Sequence, residues 1–254
     1  MKVRVLGCSG GIGASLRTTS LLIDGEVLID AGTGVGDLSL AEMRRIRNVF
    51  MTHTHLDHVA CLPLLVDTIF DQLSDPLTVH GRPETIEALR THVFNWVMWP
   101  DFSVLPSASA PCMRFAELAP GASRKLGART FNSIDMNHTV PTVGYIVESG
   151  GKHFAFTADT AANDGFWTAL NALPRLDLLI VETAFSNANE ELAWVSRHYC
   201  PKSLATDLRK LKHDIDVHIT HLKPGAEDPI FEEIRAEIPE RRFVRLRGGE
   251  SFDL

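Results

Sequence analysis

Apolar and polar positions alternate in short runs along the first fifty residues, the period of half-buried strands. Lys2–Leu6, Ser20–Ile23 and Glu26–Asp30 read as three strands separated by glycine-rich or Asp-Gly turns, and Asn48–Thr52 as a fourth. Helical spacing follows at Pro63–Leu73 and Glu84–Val97, the second opened by Pro83, with a strand at Leu77–His80 between them. Strands resume at Arg129–Asp135, Val143–Glu148 and His153–Thr157, where Ser149-Gly150-Gly151 supplies a hairpin turn. The pattern then predicts a helix over Asp164–Leu173, a buried strand over Leu178–Glu182, and helices near Glu190–Arg197 and Ser203–Lys212. A strand at Val217–Thr220, a helix at Pro229–Ile238 and a strand at Arg242–Leu246 complete it. Each half opens with strands and passes into strand–helix units, and no linker divides them. One domain spanning residues 1–254 is therefore expected, an α/β fold with two sheets face to face and helices outside, a four-layer αβ/βα sandwich.

Trp99–Ala122 breaks the pattern. It holds Pro100, Pro106, Pro111 and Pro120, and Trp96, Met98 and Phe102 lie in or beside it. A long irregular apolar segment is usually a lid, a binding loop or a subunit contact. The aromatic stretch at residues 96–102 is read as a homodimer contact that also shapes the pocket.

Composition narrows the classes. With 44% hydrophobic and 22% charged residues in 254, the chain has the make-up of a globular protein. No apolar run reaches the roughly 18–20 residues of a membrane span, so no membrane partner is expected. MKVRVLGCSGG reads as a strand and a glycine loop rather than a secretory signal, which makes the cytoplasm the expected address. The 25 basic residues against 32 acidic ones give a net charge of −7, and no basic face is evident. That disfavours a long nucleic acid as partner and leaves a small molecule, including a single nucleotide, open. Cys8, Cys61, Cys112 and Cys200 are scattered, as expected of reduced thiols.

The candidate chemistry lies in Thr52-His53-Thr54-His55-Leu56-Asp57-His58, directly after an apolar strand. His53 and His55 are two positions apart, so extended backbone puts both imidazoles on one face. Asp57 and His58 follow where the chain turns into a helix and can aim at a neighbouring point. A lone histidine would read as a hydrogen-bonding group in a polar loop; this spacing of imidazole and carboxylate reads instead as ligands for two nearby metal ions. Such donors suit zinc first, with iron or manganese as alternatives. Two metals need further ligands, and His138, Asp159 and His221 each follow the C-terminal end of an apolar strand, where open α/β sheets gather their sites.

The H-x-H-x-D-H segment, the later His, Asp and His, and Leu28-Ile29-Asp30-Ala31-Gly32 together resemble the metallo-β-lactamase superfamily of hydrolases. The resemblance implies one metal on His53, His55 and His138, and a second on Asp57, His58 and His221. It makes Asp159 the bridge and Asp30 a group that orders the histidine loop. The remaining histidines, His80, His92, His153, His213 and His218, match no motif and read as structural or surface groups. Three finer stretches look like class II cyclic-nucleotide phosphodiesterases: His138-Thr139-Val140-Pro141, Val181-Glu182-Thr183-Ala184-Phe185 with the later His198-Tyr199-Cys200-Pro201, and Ile219-Thr220-His221-Leu222-Lys223-Pro224. Val59-Ala60-Cys61-Leu62-Pro63 departs from that pattern.

That likeness implies a phosphodiesterase acting on 3′,5′-cyclic nucleotides through a hydroxide held between two divalent metals. Asp57 would orient the hydroxide's proton, His198 would protonate the leaving oxygen with Glu182 behind it, and Lys223 and Thr139 would hold substrate. His198 also reads as a helix-terminal histidine complementing the dipole, and Lys223 as a solvated lysine. A tRNA 3′-processing nuclease shares the HTHLDH segment but normally carries a basic arm, and lactone or thioester hydrolysis uses the same hydroxide. An iron redox protein of this fold usually shows more carboxylate or a flavin domain. A metal-binding protein without activity is disfavoured because no ligand position is missing.

Overall fold

Strands β1 (Lys2–Gly7), β2 (Ser20–Ile23) and β3 (Val27–Ile29) form an antiparallel meander. The sheet then turns parallel through β4 (Asn48–Phe50) and β5 (Leu77–Gly81). Between them lie the short helices α1 (Leu40–Met43) and α2 (Leu56–Val59) and the longer α3 (Leu62–Ile69). Helix α4 (Pro83–His92) and a small hairpin of β6 (Pro106–Ser107) and β7 (Ala110–Pro111) lead to β8 (Met113–Glu117), parallel to β5. The computed structural model describes all 254 residues.

The second half repeats the plan. Strands β9 (Ser123–Leu126), β10 (Arg129–Met136), β11 (Thr142–Ser149) and β12 (Lys152–Phe156) are antiparallel. After helix α5 (Asp164–Asn171), β13 (Leu178–Glu182) joins parallel to β12. Helices α6 (Glu190–Ser196) and α7 (Pro201–Leu208) precede β14 (Val217–Thr220), and α8 (Glu227–Glu237) precedes β15 (Phe243–Arg245), both strands again parallel. The final strand, β16 (Ser251–Asp253), returns to the first sheet beside β1. Each of the two sheets has seven strands.

Side-chain alternation explains the layering. In β3, Val27 and Ile29 face the second sheet while Leu28 faces the outer helices; in β13, Leu178 and Ile180 face the first sheet while Leu179 and Val181 face outward. Strands buried on both faces can only lie between two apolar layers. Three cores result: one between the sheets, around Phe50, Phe131, Tyr145 and Phe156, and one under the helices of each half. The expected four-layer sandwich is the observed one.

The largest departures from the sequence reading lie in the middle of the chain. The helix expected over Glu84–Val97 ends at His92, because Oδ1 of Asn95 accepts from the N–H groups of Val97 and Met98, folding the chain into a turn with Trp96 at positive φ. The supposedly irregular Trp99–Ala122 contains β8, which Pro111 and Pro120 bracket rather than interrupt. The four cysteines are unpaired, and no helix is long and apolar enough to cross a membrane.

Candidate metal centre

The C-terminal ends of strands in both sheets deliver the polar side chains. Beyond β4 the chain stays extended through His53 and His55, and α2 then carries Asp57 and His58. His138 follows β10, Asp159 follows β12 and His221 follows β14, so the two sheets contribute from facing edges. His53, His55, His138 and Asp159 offer ligand atoms within 4.8 Å of one another, and so do Asp57, His58, Asp159 and His221. Asp159 belongs to both groups. Its Oδ2 lies 3.6 Å from Nε2 of His53 and 3.4 Å from Nε2 of His58, while its Oδ1 lies 3.4 Å from Nδ1 of His221.

The local backbone is bent to make this convergence. Asp30, Ala158 and His221 all adopt positive φ, 57°, 55° and 64°, a region costly for residues with a side chain and held here by the surrounding structure. Gly32 is required at its position, since a Cβ there would stand 2.4 Å from the carbonyl oxygen of Asp57.

Most rings have one nitrogen anchored from behind. Nδ1 of His58 meets Oδ2 of Asp30 at 2.6 Å, Nδ1 of His53 meets the Thr52 hydroxyl at 2.9 Å, and Nδ1 of His138 donates to the Arg197 carbonyl at 3.0 Å. Asp30 in turn accepts from the Thr52 amide and hydroxyl. Nε2 of His53, Nε2 of His58 and Nδ1 of His221 are buried without any hydrogen-bond partner. Orphaned nitrogens that converge on one carboxylate, on rings mostly fixed from behind, are a donor set that could hold transition-metal ions. The residues fit divalent cations. Burial would lower the His58 imidazole, but Asp159 and Asp30 beside it raise it well above its ordinary value; for three other rings burial prevails and favours the ligating form. It holds the His53 imidazole well below its ordinary value and lowers His138 to about 4 and His221 to about 3. Burial alone would raise Asp159, but His221 and His58 beside it hold its carboxyl well below the usual range.

His198 borders the centre without joining it. Its ring lies 4.9 Å from that of His138 and 5.3 Å from that of His221, centre to centre. Nδ1 of His198 donates to Oε1 of Glu182 at 2.9 Å, and that buried oxygen also accepts from the Thr160 amide. Burial opposes the charge on His198, but Glu182 reverses that and raises the imidazole above its ordinary value. Lys223 donates from Nζ to the Gly10 carbonyl at 2.9 Å and stands 5.7 Å from the centre of the Phe185 ring, bracing the glycine loop. Thr139 is exposed beside His138. Among the unmatched histidines, His80 stacks on Phe50 and His213 bonds the Leu170 carbonyl. The sequence pattern assigns no role to the Thr52 side chain or to Arg197. Thr52 abuts the histidine cluster, whereas nothing local marks Arg197.

This fold and donor set define a metallo-β-lactamase-type protein, and residues 26–239 match the family described as Beta-lactamase superfamily domain; the chain belongs to that family. A 3′,5′-cyclic-nucleotide phosphodiesterase of Aliivibrio fischeri is 26% identical over 279 residues, covering 88% of this chain and 82% of that protein. A ribonuclease Z of Bradyrhizobium sp. is 32% identical over 118 residues, but the match covers 44% of this chain and 36% of that one. Among solved structures, unliganded yeast PDE1 superposes with a TM-score of 0.83 over 100% of this chain and 99% of its own, at 19% identity, a likeness of fold. With these relatives, the chain is a metal-dependent hydrolase.

Proposed function

We propose that the protein hydrolyses 3′,5′-cyclic nucleotides at a binuclear centre, zinc being the first choice of metal. The observation that carries the reading is the sharing of Asp159 between two groups of donors, with the His198–Glu182 pair at the edge. One cation would rest on His53, His55 and His138, the other on Asp57, His58 and His221, and Asp159 would bridge them. Two divalent cations so held supply an acidified water and offset charge on phosphoryl oxygens. Asp57, half-buried like His55 where the other donors are buried, would orient the proton of an attacking water. Breaking the ring of the cyclic ester expels a ribose alkoxide, which needs a proton. His198, whose protonated form Glu182 favours, would be the donor, and the Nδ1 hydrogen bond leaves Nε2 to deliver it. Lys223 and Thr139 would receive the phosphate from the rim.

The likeness to the Aliivibrio protein over 88% of this chain, against 44% for the ribonuclease Z, favours a cyclic nucleotide over RNA. Turnover by the zinc- or manganese-loaded protein is to be compared on cyclic AMP, bis(p-nitrophenyl) phosphate, a lactone, a penicillin and a tRNA precursor. The expected result is ring opening of the cyclic nucleotide as the preferred reaction. Preferred cleavage of the tRNA precursor or the lactone overturns the reading.

A further inference from the structure

Beside His198 lies a cavity of about 530 Å³ that the metal chemistry does not use. Asn137, Trp194, Glu190 and Glu191 line it along with His198. Asn137 is the neighbour of His138, and the His198 ring packs against those of His138 and His221. The cavity therefore continues from the place where a phosphate would sit.

Its walls have a definite chemistry. Trp194 is 80% exposed, at odds with the usual burial of an indole. It sits on α6, whose C-terminal end is tied to the metal centre twice: the Arg197 carbonyl accepts from Nδ1 of His138, and Nη1 of Arg197 donates to the His138 carbonyl at 2.8 Å. The helix that carries the indole is thus anchored beside the donors. Glu190 pairs with Lys202 at 3.2 Å, whereas Glu191 has neither a hydrogen bond nor an ion pair. Ionised carboxylates accept hydrogen bonds and repel phosphate. An aromatic face with acceptors at its edge and no cation free to meet a second phosphate suits a flat group bearing N–H donors, and does not suit the next nucleotide of a chain.

We infer that this cavity is the base subsite for a cyclic purine nucleotide that carries an exocyclic amine, with Trp194 as the stacking platform and Glu191 as the acceptor for the amine. The inference rests on the phosphodiesterase reading and adds to it the residues that select the base. It also accounts for the size of the space, which lies within the range of small-ligand pockets.

Steady-state hydrolysis of cyclic AMP and of a base-free 3′,5′-cyclic ribose phosphate separates the two ideas. Because Trp194 is exposed, its replacement leaves the core untouched. In Trp194→Ala, kcat/KM for cyclic AMP relative to the base-free ester is expected to fall roughly 5- to 150-fold, through KM, the range for losing one base–aromatic stack. Trp194→Phe should recover most of it, and Glu191→Gln should lower the ratio about 2- to 10-fold, as for one hydrogen bond. A ratio and a KM within twofold of the parent in Trp194→Ala overturn the subsite while leaving the phosphodiesterase reading intact. No hydrolysis of either ester by the parent protein overturns that reading, and the subsite with it.

Discussion

Nδ1 of His58 lies 2.6 Å from Oδ2 of Asp30, and neither side chain is exposed to solvent. That contact fixes which nitrogen of His58 faces Asp159. Asp30 also ties down the Thr52 amide and hydroxyl, so one carboxylate orients both ends of the histidine loop. Asp30→Ala should weaken metal binding about 10- to 100-fold, the usual effect of removing a group behind a ligand. Competition against a chromophoric chelator measures it, and unaltered affinity would show that the contact serves only the fold.

Asp159 stands between both donor groups, so its loss is expected to be felt by both. Elemental analysis of the parent protein should find two transition-metal ions per chain, bound by the donor set above. In Asp159→Ala two cations would be left close together with less negative charge between them. Loss of at least one ion and of nearly all turnover is expected; full occupancy with near-normal turnover would place the bridge elsewhere.

His198→Ala should leave both ions in place, since the ring borders the donors without belonging to them. Turnover of a cyclic nucleotide should fall about 10²- to 10⁴-fold, the range for losing a general acid. The loss on a p-nitrophenyl ester should be far smaller, because that leaving group departs without a proton. Equal losses on both substrates would make His198 a positioning group.

A stability test lies away from the centre. The Asp207 side chain is 1% exposed, and its Oδ2 accepts from the Tyr199 hydroxyl at 2.6 Å, from Nε1 of Trp167 at 3.0 Å and from the Asn163 amide at 2.8 Å. Burial would raise this carboxyl, but those donors and Lys210 outweigh it and hold it below its ordinary value. A carboxyl depressed in the folded state stabilises above its unfolded pKa of about 3.9, and that stabilisation is lost as pH falls below it. Asp207→Ala should cost about 3 kcal/mol at neutral pH, because buried donors lose their acceptor. Urea unfolding at pH 7 and at pH 3 should give a difference between parent and variant that shrinks in acid; a constant difference would mean the carboxylate's charge is immaterial.

The donor residues were legible in the sequence because imidazoles and carboxylates at strand ends have few structural uses that produce such spacing. The layering was legible because β3 and β13 are apolar on both faces, which only a strand between two layers sustains. Other features depend on contacts between distant segments. Strand β8 was hidden by the prolines around it, since its partner β5 lies 36 positions earlier in register, Leu77 against Met113. Trp194 sits in Glu190-Glu191-Leu192-Ala193-Trp194, a stretch that reads as an ordinary amphipathic helix until His138 and Arg197 are seen to anchor it beside the centre. Asp207 likewise looks like any helical carboxylate until Trp167 and Tyr199 are found to point at it.

The facing edges of the two sheets carry a consequence for how the protein comes into being. The donors from β4 and α2 leave the ribosome long before His221, and an N-terminal sheet can form while the rest is still being made. A nascent chain that ends between Asp159 and His221 carries every donor of the first group but lacks His221 from the second. On the binuclear reading, hydrolysis waits until β14 has brought His221 to the first sheet's donors, and activity reports the meeting of the two sheets.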